Sequence, residues 1–201
     1  SYHQYSKLLQ KIGNDRLFYL QERGVGYFPI EERELSTSAL GAPIQLGVGG
    51  VMDRADNVDK FFGCQHKFSM YVGPDHFGFY DFRRKSYLMM SFNGHVGDVS
   101  VIMGVSREIS NKFKAVENLA TNIFNTENPI SGYGIIGVFD ANTKTGLMTF
   151  KFKDELGVKH DFTVGVNSDL KCFVGYFSFT PVLYIEHNNK LYSSGFNNLP
   201  V

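Results

Sequence analysis

The chain has 201 residues, 43% of them hydrophobic, which is enough for one domain with a real core or for two small ones and excludes wholesale disorder. Twenty Lys and Arg balance twenty Asp and Glu, so no chain-wide positive field draws the protein onto nucleic acid or an anionic membrane. Nineteen Phe, eleven Tyr and 21 Gly suit short strands and tight turns, and the longest apolar runs, such as 173–177, fall far below the roughly 20 residues of a membrane span.

Residues 2–12 place Tyr5, Leu8, Leu9 and Ile12 at helical spacing, with Gly13 suited to close the last turn, so a helix is expected there. From Leu17 to about Lys60 the texture is mixed: Pro29, Pro43, a charged run at 31–34 and a glycine-rich stretch at 47–50. That pattern reads as an extended arm with turns. Its apolar residues Leu17, Phe18, Tyr27, Phe28, Ile30, Leu46 and Val48 follow no strong period, and such a segment cannot easily bury its own side chains. They are expected to form the main intersubunit or interdomain contact. The chain therefore divides into a helix and arm over 1–60 and a β-rich domain over 61–201.

Within the second part, short aromatic strands are expected at 67–72, 77–82 and 87–92, with turns at 73–75 and 83–86, and a further strand at 99–105 after Asn93-Gly94. Ile109, Phe113, Val116, Ala120, Ile123 and Phe124 share one face of a predicted helix over 107–125, capped by Ser106 or Ser110. Strands resume at 135–139, 147–153, 160–166, 171–178, 182–187 and 190–193. Asn188-Asn189 between the last two is a two-residue hairpin signal, because Asn tolerates positive φ.

Residues 78–89 (Gly-Phe-Tyr-Asp-Phe-Arg-Arg-Lys-Ser-Tyr-Leu-Met) align without gaps with 137–148 (Gly-Val-Phe-Asp-Ala-Asn-Thr-Lys-Thr-Gly-Leu-Met), an offset of 59. Each copy reads as a strand, an Asp-led turn and a return strand, with Asp81 and Asp140 as structural turn residues that accept local backbone hydrogen bonds. The fold expectation is mainly β: antiparallel, propeller-like or repeated-hairpin sheets, one inserted helix and an extended N-terminal arm.

The order of motifs carries a resemblance. His160-Asp-Phe-Thr-Val-Gly-Val166 precedes Cys172-Phe-Val-Gly-Tyr-Phe-Ser-Phe-Thr-Pro181, then Tyr184-Ile-Glu186 and Lys190-Leu-Tyr192. Upstream lie a helix running into Asn128-Pro129-Ile130, the segment Gly134-Ile-Ile-Gly-Val-Phe-Asp140, the stretch 31–35 and Leu46-Gly-Val-Gly-Gly-Val51. Over about residues 25–195 this resembles the tail-associated structural proteins, stabilisation and muzzle, of crAss-like and related tailed bacteriophages. The resemblance implies a structural virion component made in the bacterial host cytoplasm and placed in the tail. It implies assembly with other tail proteins and copies of itself, no cofactor, no membrane partner and no specific nucleic acid. Members are generally much longer, which fits a chain that opens on Ser-Tyr-His-Gln as a piece of something larger. The alternative is a carbohydrate-binding or receptor-recognition module with a surface glycan as partner.

The chemical motifs point elsewhere than catalysis. Gly132-Tyr-Gly134-Ile-Ile-Gly137 matches a dinucleotide fingerprint, but a helix precedes it and a strand follows, the reverse of the order a pyrophosphate site needs. Cys64, His66 and His76 supply three zinc-type ligands where a closed site needs four, and the two histidines are expected at strand ends facing solvent. Asp53, Asp56 and Asp59 recur without the glycine and terminal Glu of a calcium loop. Asp154, Glu155, His160 and Asp161 flank a turn around Gly157, and Arg83-Arg84 reads as the polar tip of another. Cys64 and Cys172 are expected reduced rather than joined by a long-range disulfide.

Overall fold

A computed structural model describes residues 8–12, 16–29, 34–37, 43–46, 55–99, 106–113, 127–154 and 156–194. The chain forms two compact units, Ser1–Gly63 and Cys64–Val201.

The first unit is a sheet. Strands β1 (Leu8–Ile12), β2 (Arg16–Gln21), β3 (Gly24–Pro29) and β6 (Asp56–Asp59) pair antiparallel in that order, while β4 (Glu34–Thr37) and β5 (Pro43–Leu46) form a separate hairpin. The expected helix is thus a strand over Leu8–Ile12, and residues 2–7 lie outside the described residues. A helix of about a dozen residues is marginal alone, whereas β2 offers this segment a full ladder from Leu8↔Leu20 to Ile12↔Arg16. The arm is corrected too. Phe18, Tyr19 and Leu20 are consecutive and all buried, as is Val25. A strand buried on both faces does not alternate, so it shows no period-two signal. Gly26 leaves room for Tyr19, whose hydroxyl donates to Asn57 Oδ1 at 3.0 Å across the sheet.

In the second unit, β7 (Tyr71–Val72), β8 (His76–Asp81), β9 (Ser86–Ser91) and β10 (Val96–Asp98) form one antiparallel sheet in the order β10-β9-β8-β7. After helix α1 (Ser106–Phe113) and a short 3-10 turn (Pro129–Ser131), the strands β11 (Gly134–Asp140), β12 (Thr145–Lys151), β13 (Phe162–Asn167) and β14 (Cys172–Phe177) make a second sheet in sequence order. A hairpin of β15 (Leu183–His187) and β16 (Lys190–Ser194) ends the described chain, turning through Asn188 and Asn189 at φ 50° and 57°. The strand expected at 99–105 ends earlier, at Asp98, and residues 100–105 lie outside the described residues. So do 114–126, the second half of the expected helix. The chain is mainly β and antiparallel, and no closed barrel or propeller is seen among the described residues.

Aromatic layers join the two four-stranded sheets of this unit. Tyr80 and Phe82 from β8 and its turn, with Tyr71 and Tyr87, meet Phe139, Met148, Phe150, Phe152 and Phe162, and Ile109 of α1 joins the cluster. Phe150 lies 4.7 Å from the Phe162 ring and 4.9 Å from Tyr80, the second edge-on. Tyr71 stacks on Phe139 at 6.0 Å, and its hydroxyl accepts from Tyr87 at 2.6 Å. A Cβ at Gly78 or Gly146 would overlap the Tyr71 ring, so two glycines shape its slot.

Phe150→Ala removes a fully buried ring and should cost about 3–5 kcal/mol, read from urea denaturation. Burial pushes the phenols of Tyr71 and Tyr87 above the ordinary value of 10.0. Above that pH the folded chain holds protons that the unfolded chain has released, so stability falls as pH rises. Denaturation midpoints should be flat up to about pH 10 and decline beyond it, less steeply in Tyr71→Phe.

Candidate functional site

The repeat sits on equivalent hairpins. Asp81 pairs with Ser86 and Asp140 with Thr145, so each Asp closes a four-residue loop. Asp81 Oδ1 accepts from the Arg84 N–H at 3.2 Å. Asp140 Oδ1 accepts from Asn142 N at 3.0 Å and its Oδ2 from Thr143 Oγ1 at 2.7 Å. The fourth loop residue is Lys85 in one and Lys144 in the other, at φ 55° and 54°. A third loop has the same form: Asn167 pairs with Cys172, its Oδ1 accepts from Leu170 N at 2.8 Å, and Lys171 stands at φ 49°. Sequence comparison missed it because Asn replaces Asp and the flanking Gly and Met are displaced or absent. Asx-x-x-x-Lys was the signal that would have found it.

Other expected groups are put to local use. His66 and His76 are buried, at 0% and 5% exposure, instead of facing solvent. Each has a carboxylate on its ring: Glu127 Oε1 lies 3.2 Å from His66 Nδ1, and Asp75 Oδ1 lies 2.7 Å from His76 Nδ1. Those partners make burial of the imidazoles tolerable. Cys64 Sγ donates to the His66 carbonyl at 3.1 Å, and among the described residues no group of three or more His, Cys, Asp or Glu is arranged to hold a metal. Both cysteines are free thiols. Asp59 Oδ1 accepts from the N–H groups of Phe61 and Phe62, and Asp53 lies outside the described residues.

The glycine motif proves to be a turn entering a strand. Gly132, at φ 85°, caps the 3-10 turn and Gly134 opens β11. Asp154 is fully engaged by its own loop: Oδ1 accepts from Leu156 N and Val158 N, and Oδ2 lies 3.0 Å from His160 Nε2. The His160 hydrogen bond, then that from Val158, holds the Asp154 carboxyl below the usual aspartate range. Glu155 lies outside the described residues. Arg83 and Arg84 are exposed at the tip of the β8–β9 loop, while Tyr80 and Phe82 beside them are buried.

One pocket, of about 340 Å³, opens between the two four-stranded sheets of the second unit. Met89, Ser91 and His76 reach it from one face of the β8–β9 pair, since His76 is directly opposite Ser91. Gly97, opposite Met89 on β10, leaves the space unfilled. The β13–β14 loop brings Asp169 and Lys171 to the other side.

A family model described as Crassvirus muzzle protein matches residues 10–196. The chain belongs to that family. The resemblance to phage tail muzzle proteins drawn from the order of motifs is borne out. No curated protein matches the chain.

In this Crassvirus muzzle family member, the segment between His160 and Tyr192, one part of the resemblance, fastens the C-terminal hairpin to the β11–β14 sheet. Thr163 Oγ1 donates to the Phe179 carbonyl at 2.6 Å, and the Tyr184 hydroxyl lies 2.6 Å from Thr149 Oγ1. Lys151 Nζ donates to Asp161 Oδ2 at 3.0 Å and to the Thr180 carbonyl at 2.9 Å. Asn142 Nδ2 donates to the carbonyl of Asn189 at the hairpin tip. None of these polar contacts was foreseen, because their partners are distant in the chain.

Lys151→Met should leave the Asp161 carboxylate without its cation and cost about 3 kcal/mol, while the double change with Asp161→Leu should recover most of that. Urea midpoints of the three variants against the parent check the sign of both steps.

Proposed function

We propose that this chain is a non-catalytic structural component of a crAss-like phage tail, acting through contacts with other virion proteins and copies of itself after synthesis in the host cytoplasm. The family match across nearly the whole chain carries the reading. Its surface supports it. Leu156 is 90% exposed, with Ile130 and Val158 also exposed, at the end of the sheet where β11 begins and β12 ends. Asn128 Oδ1 accepts from Ile130 N, and Asp154 Oδ1 from Leu156 N, so capped turns hold these apolar side chains outward. Rigid, exposed apolar side chains are what a neighbouring subunit can cover at small entropic cost.

In the first unit, Leu17, Tyr27 and Phe28 are half-buried and retain surface for such a contact. Phe18 is withdrawn from the proposed interface because it is already buried. Leu46 closes β5, and Ile30 and Val48, outside the described residues, complete the proposed set. The four-stranded antiparallel sheets are of the kind that builds propeller blades, and a propeller-like arrangement is part of this reading.

Mass spectrometry and antibody labelling of purified virions should place the chain at the tail, and its absence from virions would refute the reading. Deleting residues 1–63 should abolish incorporation and leave Cys64–Val201 folded by circular dichroism. Leu156→Asp should reduce incorporation, the cost of burying that carboxylate in a contact being about 2 kcal/mol or more.

A further inference from the structure

The pocket between the sheets has a lining whose chemistry selects a ligand. Asp75 and Asp169 are acceptors, Lys171 is a donor, and Ser91 and His95 can serve as either, above a floor of Met89 and Val99. Two carboxylates disfavour an anion. Lys171 disfavours a divalent cation, and among the described residues no metal-holding group exists. A purely apolar molecule would strip these groups of water without replacing their hydrogen bonds. A neutral polyhydroxylated molecule fits all of them, because every hydroxyl both donates and accepts and two vicinal hydroxyls can share one carboxylate.

The segments that carry these groups are also held in place before any ligand arrives. His76 is oriented by Asp75 at 2.7 Å and by ring-edge contacts with Tyr71 and Phe139 at 6.1 and 5.6 Å. Ser91 and His95 are tied across their turn, where Ser91 N donates to the His95 carbonyl at 2.9 Å. The loop bearing Asp169 and Lys171 is fixed by Leu170 N on Asn167 Oδ1, by Asn167 Nδ2 on the Thr143 carbonyl at 2.9 Å, and by Ser168 Oγ on the Lys144 carbonyl at 3.1 Å. Its 340 Å³ falls within the range of small-ligand sites, which begins at about 300 Å³.

We propose that this pocket binds one neutral hexose unit of a glycan. Among the described residues no Phe or Tyr lines it, so the sugar's apolar face rests on Met89 and Val99. Affinity for a single unit is therefore millimolar, and useful retention comes from many copies engaging one polymer. The inference stands apart from the tail reading, since sugar binding by the isolated chain neither requires nor excludes a place in the virion.

The test is a titration of the full chain, methyl-labelled at methionine, with glucose, galactose, mannose and N-acetylglucosamine, and with maltotriose and mannotriose. At least one hexose should shift the Met89 resonance (assigned with Met89→Leu), and Asp169→Ala and His95→Ala, both at exposed positions, should each weaken binding about tenfold or more with unchanged circular dichroism. Tighter binding of the trisaccharide carrying that hexose indicates a glycan chain as the source, and equal affinity a free sugar. The proposal is overturned if no sugar shifts Met89 up to about 50 mM, a concentration well above a millimolar Kd. It is also overturned if binding survives both substitutions.

Discussion

Strands β8 and β12 are buried at every position. A strand covered on both faces gives up almost none of its backbone or side-chain polar groups to water, so partners inside the chain are strongly favoured. That single demand explains much of the second unit. Asp81 turns its carboxylate to the loop it begins, Thr149 meets Thr163 and Tyr184, and Lys151 reaches Asp161 and the Thr180 carbonyl. Toward the other sheet the same strands present rings, and the edge-on and stacked pairs around Phe150 and Tyr71 fill the layer.

Short strands separated by Gly, Asn or Asp were legible because turn chemistry is local: Asn188-Asn189 and the loops after Asp81 and Asp140 declare themselves in a few residues. Where several neighbours decide the structure, the sequence was ambiguous. Leu8–Ile12 has helical spacing and becomes a strand because β2 is there to pair with it. Phe18-Tyr19-Leu20 looked aperiodic because both faces are buried. His66 and His76 looked like surface residues because Glu127 is 61 positions away from the first, and because nothing in the dipeptide Asp75-His76 says that Tyr71 and Phe139 will enclose the second ring.

The candidate pocket was not legible at all. It arises where Gly97 leaves a gap beside Met89 and a loop from the other sheet supplies charge, and neither is a motif. The residues that a motif search would choose, Gly132 to Gly137 and the Asp154–His160 pair, are consumed in making turns. In a Crassvirus muzzle family protein that is the expected allocation: hydrogen-bonding capacity goes into holding shape, and the groups left over at loop ends are those that can meet another molecule.

The C-terminal hairpin is joined to the sheet beneath it by side chains, because β15 and β16 pair with each other and form no ladder with β11–β14 among the described residues. Lifting it would break hydroxyl and amide contacts and leave every rung of that sheet intact. Opening of this hairpin is thereby separated from global unfolding, and the amides of β15 and β16 should exchange with solvent on a faster clock than those of β12. Mechanical load applied to β16 would be met first by a detachable strap, and the aromatic layer would stay closed behind it.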